Sequence, residues 1–182
     1  IGNGAGLSVK IYYEIEDAEG PFVDGSCTDG WDAANIRISS DGGSTWVLLE
    51  DPLNPYHFDC GYGWIYNDSQ YDTDGSLNHL AKGWGGNSNV WVDFSADLSQ
   101  YSDQEIIVRF AFGSDPELST ADDSSLTGFH VDSIIVEDDT SVLFSDSGDN
   151  MSQMIPAGEV WVDQFYDYGS CSAEPPRPGC DE

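Results

Sequence analysis

The stretch EIIVRFAFGSDPELSTADDSSLTGFHVDSIIVE, residues 105–137, decides the predicted fold. From Ile106 to Phe112, large apolar residues occupy every second position, which is the period of a β-strand with one face in a core. In the second half, counting back by twos from Val136 places Asp132 on the core side at the mouth of another strand. A carboxylate in that position must be paired, hydrogen-bonded or bound to a cation. We therefore predict two strands joined by an acidic loop, with Asp132 beside it.

The same alternation recurs elsewhere and predicts an all-β chain. Further strands are expected within residues 7–17, 33–39, 44–50 and 90–97. Glu16 falls just past the end of the first of these strands, and Asp32 precedes the second. At 182 residues, the chain is long enough for one domain and short for two.

The charge balance excludes several classes of partner. The chain has 34 acidic and 5 basic side chains, a formal charge of −29. Nucleic acids and anionic membrane surfaces need clustered Lys and Arg, so neither is expected, and cations are the natural counter-partners. No run of about 18 apolar residues occurs, so we expect no membrane insertion.

Four cysteines indicate the compartment. They have neither C-x-x-C spacing nor a histidine at the spacing of a zinc site, and they are Cys27, Cys60, Cys171 and Cys180. This pattern favours disulfides in an oxidising, extracellular or cell-surface setting, with three pairings open.

A sharper motif lies in the predicted hairpin. Residues 39–46, SSDGGSTW, match the pattern S-x-D-x-G-x-T-W of the Asp box, which is best known from sialidase propellers. A propeller needs several such blades at a fixed period, and this chain has one copy. We interpret the motif as a folding device, in which Asp41 accepts backbone N–H groups of the turn and Trp46 packs under the hairpin.

The long polar and aromatic stretch at residues 52–89 has two interpretations. It can fold over a sheet and bury its own aromatic residues, as long loops with satellite cores do. It can also form a recognition surface, because aromatic faces beside Asn, Asp and Gln suit sugars or another protein. The candidate ligand-binding residues in this second interpretation are Tyr62, Trp64, Tyr66 and Trp84.

Four phrases occur in the order expected of a known family. WDAANIRISSDGGSTWVLL, DLSQY, IIVRFAFGSD and GFHVDSIIVED together resemble the bacterial MAM-like domain appended to immune inhibitor A peptidases and other secreted proteins. The resemblance implies an antiparallel jelly-roll β-sandwich without an active site, often with a calcium ion near the strand ends. It implies Glu16, Asp32 and Asp132 as the Ca²⁺ ligands. Ser133 stands where the family often has a second acid.

The chain departs from the family pattern after residue 138. We divide it into a MAM-like domain at residues 1–138, with its long loop at 52–89, and a segment at 139–182 with an extra strand and a Pro-rich tail. The strand at residues 160–168 resembles the opening strand that the family usually has at the other end. It either folds back into its own domain or enters the groove of a neighbouring subunit.

No enzyme motif is present: the chain has no G-x-S-x-G elbow, no HExxH and no phosphate-binding glycine loop. The sequence therefore predicts a non-catalytic, calcium-stabilised, extracellular structural or adhesive module that can form a homo-polymer by strand donation or bind a cell-surface protein. The alternatives are a carbohydrate-binding module with a glycan as ligand, and an accessory domain of a secreted peptidase.

Overall fold

The computed structural model describes residues 1–17, 30–59, 61, 81–114, 118, 122–147 and 154–155. This part of the chain forms seven strands and a single-turn 3-10 helix at Ser99–Tyr101. The strands are β1 (Gly6–Glu14), β2 (Ala33–Ser39), β3 (Val47–Leu48), β4 (Val92–Asp97), β5 (Ile107–Gly113), β6 (Gly128–Glu137) and β7 (Val142–Asp146). No helix within these residues has the length and apolar composition needed to cross a membrane.

The strands form two antiparallel sheets, which confirms the all-β prediction and the β-sandwich. One sheet has four strands in the order β4-β1-β6-β7, and the other has three in the order β3-β2-β5. The chain crosses between the sheets four times, from β1 to β2, from β3 to β4, from β4 to β5 and from β5 to β6.

The core lies between the sheets and follows the period-two pattern. On β1 the inward residues are Leu7, Val9, Ile11 and Tyr13, and on β2 they are Ala34, Ile36 and Ile38. Alternation fixes which face of each strand is buried, so these positions could be predicted from the sequence. On β5 the same face carries Val108 and Phe110, which pack against the core, whereas Phe112 near the strand end is 39% exposed.

Strand β2 is buried on both faces, which alternation did not predict. Its outward side chains, Ala33, Asn35, Arg37 and Ser39, are all less than a tenth exposed. The Asn35 amide donates to the Lys82 carbonyl oxygen (2.7 Å), and Arg37 Nε donates to Asn35 Oδ1 (2.9 Å). Gly83 passes so close to β2 that a Cβ on it would lie 2.7 Å from Ala33 Cβ. Parts of the long loop thus cover this face.

The turn after β2 has the structure expected for the Asp-box residues. The Asp41 carboxylate accepts the Thr45 backbone N–H (2.9 Å), the Thr45 hydroxyl (2.6 Å) and the Ser39 hydroxyl (2.7 Å). These hydrogen bonds, with those of Thr45 foremost, lower the pKa of Asp41 from 3.8 to about 2. Gly42 and Gly43 have φ of 74° and 91°, which suits glycine. The role of Asp41 in holding the turn is confirmed.

Candidate functional site

Two of the predicted metal ligands, Glu16 and Asp32, lie together where β1 ends and β2 begins. The Glu16 backbone N–H donates to Asp32 Oδ2 at 3.3 Å, and Asp32 is 3% exposed. The Glu16 carbonyl oxygen accepts the Gly86 N–H (2.6 Å), while the Gly86 carbonyl oxygen accepts the Ile15 N–H (3.0 Å). The two strand ends and the loop at Gly86 are therefore joined by hydrogen bonds around these carboxylates.

The third predicted ligand, Asp132, lies elsewhere. Between Ser8 and Lys10 the pairing of β1 with β6 shifts, so β6 contains one extra residue, and Ser133 there has φ of 53°. This bulge changes which face each residue occupies. Before the bulge, Phe129 and Val131 point to the core. Asp132, the next residue, therefore points outward, and its expected core position is wrong.

Asp132 is paired with Lys10 on the outer face of the sheet. Lys10 lies on β1, six residues before Glu16, and an extended chain of that length spans roughly 20 Å at about 3.3 Å per residue. The structure therefore brings Glu16 and Asp32 together but separates Asp132 from them.

A calcium ion requires six to eight oxygen ligands, several of them from carboxylates. Within the described ranges, no group of three or more His, Cys, Asp or Glu residues is arranged to hold a metal ion. The set Glu16, Asp32 and Asp132 does not fit a single ion, because its third member is displaced by the bulge at Ser133.

Of the aromatic residues proposed for ligand recognition, the structure describes Trp84. Tyr62, Trp64 and Tyr66 lie outside the described residues. Trp84 is only 2% exposed, and its ring contacts Tyr56 (centroids 4.5 Å apart) and Phe94 (5.6 Å). A ring buried among other rings has no face for a sugar, so the ligand-binding role of Trp84 is wrong. The part of the loop around Trp84 follows the other interpretation, a loop that buries its own aromatic residues.

The four cysteines and the strand expected at residues 160–168 also lie outside the described residues. Their pairing and packing stay predictions.

A row of aromatic rings lies on the outer face of the four-stranded sheet and was not predicted from the sequence. Tyr12 on β1 has Trp91 on one side and His130 of β6 on the other, each with its ring centre 5.8 Å from that of Tyr12. Trp91 is 46% exposed and His130 is exposed as well. A signal existed, because Tyr12 occupies the outward phase of β1 between Lys10 and Glu14.

The acid beside this row, Glu14, accepts hydrogen bonds from two polar side chains. Glu14 Oε1 accepts the Asn87 side-chain N–H (2.8 Å), and Oε2 accepts the Thr127 hydroxyl (3.0 Å). The Thr127 oxygen is 3.2 Å from His130 Nε2, so a hydrogen-bonded chain runs from the imidazole to the carboxylate. Loss of solvent, together with the charge of Glu14 and a hydrogen bond to it, raises the pKa of Tyr12.

No protein-family model matches this chain, and no curated protein is found to be similar to it.

Proposed function

We propose that the chain is a non-catalytic, extracellular structural or adhesive module that joins to further copies of itself through an open sheet edge. The repeated crossing of the chain between the two sheets supports a jelly-roll topology. The proposal rests on a difference between the two edge strands of the four-stranded sheet, β4 and β7, in how their outward backbone groups are covered.

The edge at β4 is closed by side chains. Asp51 Oδ2 accepts the outward-facing N–H of Ser95 (3.0 Å), and the Asn54 side chain donates to the outward-facing carbonyl oxygen of Asp93 (2.6 Å). Backbone groups at a sheet edge are the template on which another strand adds. Because two of these groups on β4 already have side-chain partners, a further strand would have to compete with the Asp51 and Asn54 side chains.

At the opposite edge, β7, no side chain closes the backbone groups of residues 142–145 within the described part of the chain. Its neighbour within the sheet is β6, and its side chains Val142 and Leu143 are 58% and 44% exposed. Exposed apolar residues on an edge strand favour pairing with another chain. A strand donated to β7 by the next subunit would extend the sheet, and such a head-to-tail contact builds a filament unless it closes into a ring.

The environment of His57 supports a structural role. His57 has both ring nitrogens near polar atoms of the fold, Nδ1 at 3.0 Å from the Gly85 carbonyl oxygen and Nε2 at 3.3 Å from the Tyr13 hydroxyl. A general base needs a ring nitrogen that faces a substrate. The position of His57 suits packing instead.

Light scattering tests the proposed assembly. At high concentration the intact chain should be larger than a monomer, and the chain lacking residues 158–182 should be monomeric but prone to aggregate. A synthetic peptide with the sequence GEVWVDQFYDY, residues 158–168, should reduce that aggregation, whereas a scrambled peptide should not. If the intact chain stays monomeric, the proposed assembly is contradicted. The alternative, in which this segment folds back into its own domain, then remains.

Calcium remains part of the proposal at the Glu16 and Asp32 end of the sandwich. Two carboxylates on adjacent strand ends in a chain of charge −29 supply oxygen ligands and a field that attracts cations. Removal of bound calcium with EDTA should lower the melting temperature of the intact chain, and the double variant Glu16→Gln, Asp32→Asn should not respond. If the intact chain melts at the same temperature in calcium and in EDTA, no stabilising calcium site exists.

A further inference from the structure

We propose that the row Trp91, Tyr12 and His130 is a binding platform for neutral sugar residues. This site lies on the outer face of the four-stranded sheet, apart from the loop aromatic residues, and it does not depend on the proposed assembly.

The row is assembled by strand pairing. Tyr12 is paired with His130, and Ile11 is paired with Val92, so Trp91 lies beside Tyr12 on the other side. The three rings therefore follow one another from β6 across β1 to the residue that precedes β4. The planes of Tyr12 and Trp91 differ by 46°, and those of Tyr12 and His130 by 57°. The rings form an open shelf rather than a closed pocket.

The shelf is held rigid before any ligand binds. The segment that precedes Trp91 is fixed to β1 by hydrogen bonds. The Ser88 N–H donates to the Tyr13 carbonyl oxygen (2.9 Å), and the Tyr13 N–H donates to Ser88 Oγ (3.1 Å). The Asn87 side chain donates to Glu14. Asn89, with φ of 60°, closes a turn onto the Asn87 side chain. A preformed site avoids the entropic cost of ordering on binding.

The chemistry of the shelf fits a sugar ring. A pyranose presents an apolar C–H face, which stacks on aromatic rings, and hydroxyl groups at its rim, which need hydrogen-bond partners. Trp91 and Tyr12 supply the ring faces. Glu14, Asn87 and Thr127 supply carboxylate, amide and hydroxyl groups along one side of the row.

Charge narrows the class of sugar to a neutral one. Glu14 lies at the row, Asp132 follows on β6, and the whole chain carries −29, so a sialic or uronic acid would be repelled. A cationic ligand is less suited, because recognition of ammonium groups by aromatic residues relies on rings that surround the charge. These rings lie side by side on one surface and do not surround a charge.

Calorimetric titration of the intact chain with neutral oligosaccharides tests the platform. The probes are hexasaccharides of glucose, mannose, xylose and N-acetylglucosamine, and the comparison ligands are a sialylated oligosaccharide and a lysine-rich peptide. At least one neutral probe should bind, and Trp91→Ala should weaken that binding at least tenfold. Trp91→Phe, which keeps a ring, should weaken it less.

The matched control is Trp46→Ala, since Trp46 packs on Arg109 of the other sheet, with the guanidinium carbon 3.9 Å from its ring centre. Binding of the neutral probe should be unchanged in this variant. The proposal is overturned if no neutral oligosaccharide binds, if Trp91→Ala binds as well as the intact chain, or if only the sialylated or the lysine-rich ligand binds.

Discussion

Replacement of Trp84 by alanine is expected to cause the largest loss of stability of any single substitution described for this chain. The Trp84 ring is 2% exposed and lies among Tyr13, Tyr56, Phe94 and Phe129, with centroid distances of 4.5 to 6.4 Å. Its backbone N–H and carbonyl oxygen both bond to Ala34 of β2. Truncation of a buried tryptophan costs about 3–5 kcal/mol, a large part of the 5–15 kcal/mol that typically stabilises a domain.

Thermal melting measures this effect. For a chain of this size, each kcal/mol corresponds to about 2–4 °C, so the melting temperature should fall by roughly 6–20 °C. Trp91→Ala is the matched control, because Trp91 is 46% exposed and its loss should cost less than about 1 kcal/mol. Equal losses in the two variants would show that Trp84 is not a core residue.

Replacement of Asp51 by alanine should both destabilise the chain and open the β4 edge. Asp51 is 4% exposed and accepts the Leu53 N–H (2.8 Å), the Ser95 N–H (3.0 Å) and the Asn54 side chain (3.1 Å). A buried donor left without its acceptor costs about 1–3 kcal/mol, so we expect the free energy of unfolding to fall by about 2–3 kcal/mol. The freed edge should also make the variant associate more strongly than the intact chain.

Measuring stability at low pH separates the contribution of the Asp51 charge from the contribution of its packing. Burial acts to raise the pKa of Asp51, but the hydrogen bonds from Leu53, Asn54 and Ser95 outweigh it and lower the pKa below 3.8. The stabilisation by this carboxylate is therefore full above the unfolded pKa of about 3.9 and is lost as the pH falls through the lower folded value. The stability gap between the intact chain and Asp51→Ala should narrow over that range.

Denaturant unfolding and light scattering read out these effects. Asp93→Ala is the matched control. It also removes one aspartate charge near Asp51, but the Asp93 side chain is 83% exposed. Its ion pair with Lys10 lies at the surface, where such pairs contribute about 0–1 kcal/mol. A gap between intact chain and Asp51→Ala that stays constant in acid, or an Asp51→Ala chain as stable as Asp93→Ala, would contradict the prediction.

The strands could be predicted because one physical rule governs them. On β1 and on the inner face of β2, a single buried face imposes period-two alternation, and the Asp-box residues fix the turn after β2 by local hydrogen bonds. Both signals are contained in short stretches of sequence. They need no knowledge of distant contacts.

The errors arise where distant parts of the chain meet. Ser133 adopts a positive φ without being glycine, so nothing in the sequence marked the bulge that moves Asp132 to the outer face. Trp84 has no periodic neighbours from which its burial follows. The adjacent Gly83 is the clue, because a glycine beside an aromatic residue can signal a close approach to a strand.

The burial of β2 on both faces has a consequence for how the molecule opens. All seven residues of this strand are buried, and it lies between β3 and β5 in its sheet. Local fluctuations that free an edge such as β7 leave the β2 amides covered, so their hydrogens can exchange with solvent only when the whole domain unfolds. Deuterium uptake at residues 34–38 would then report the global free energy of unfolding, whereas uptake at β7 would report a smaller, local one.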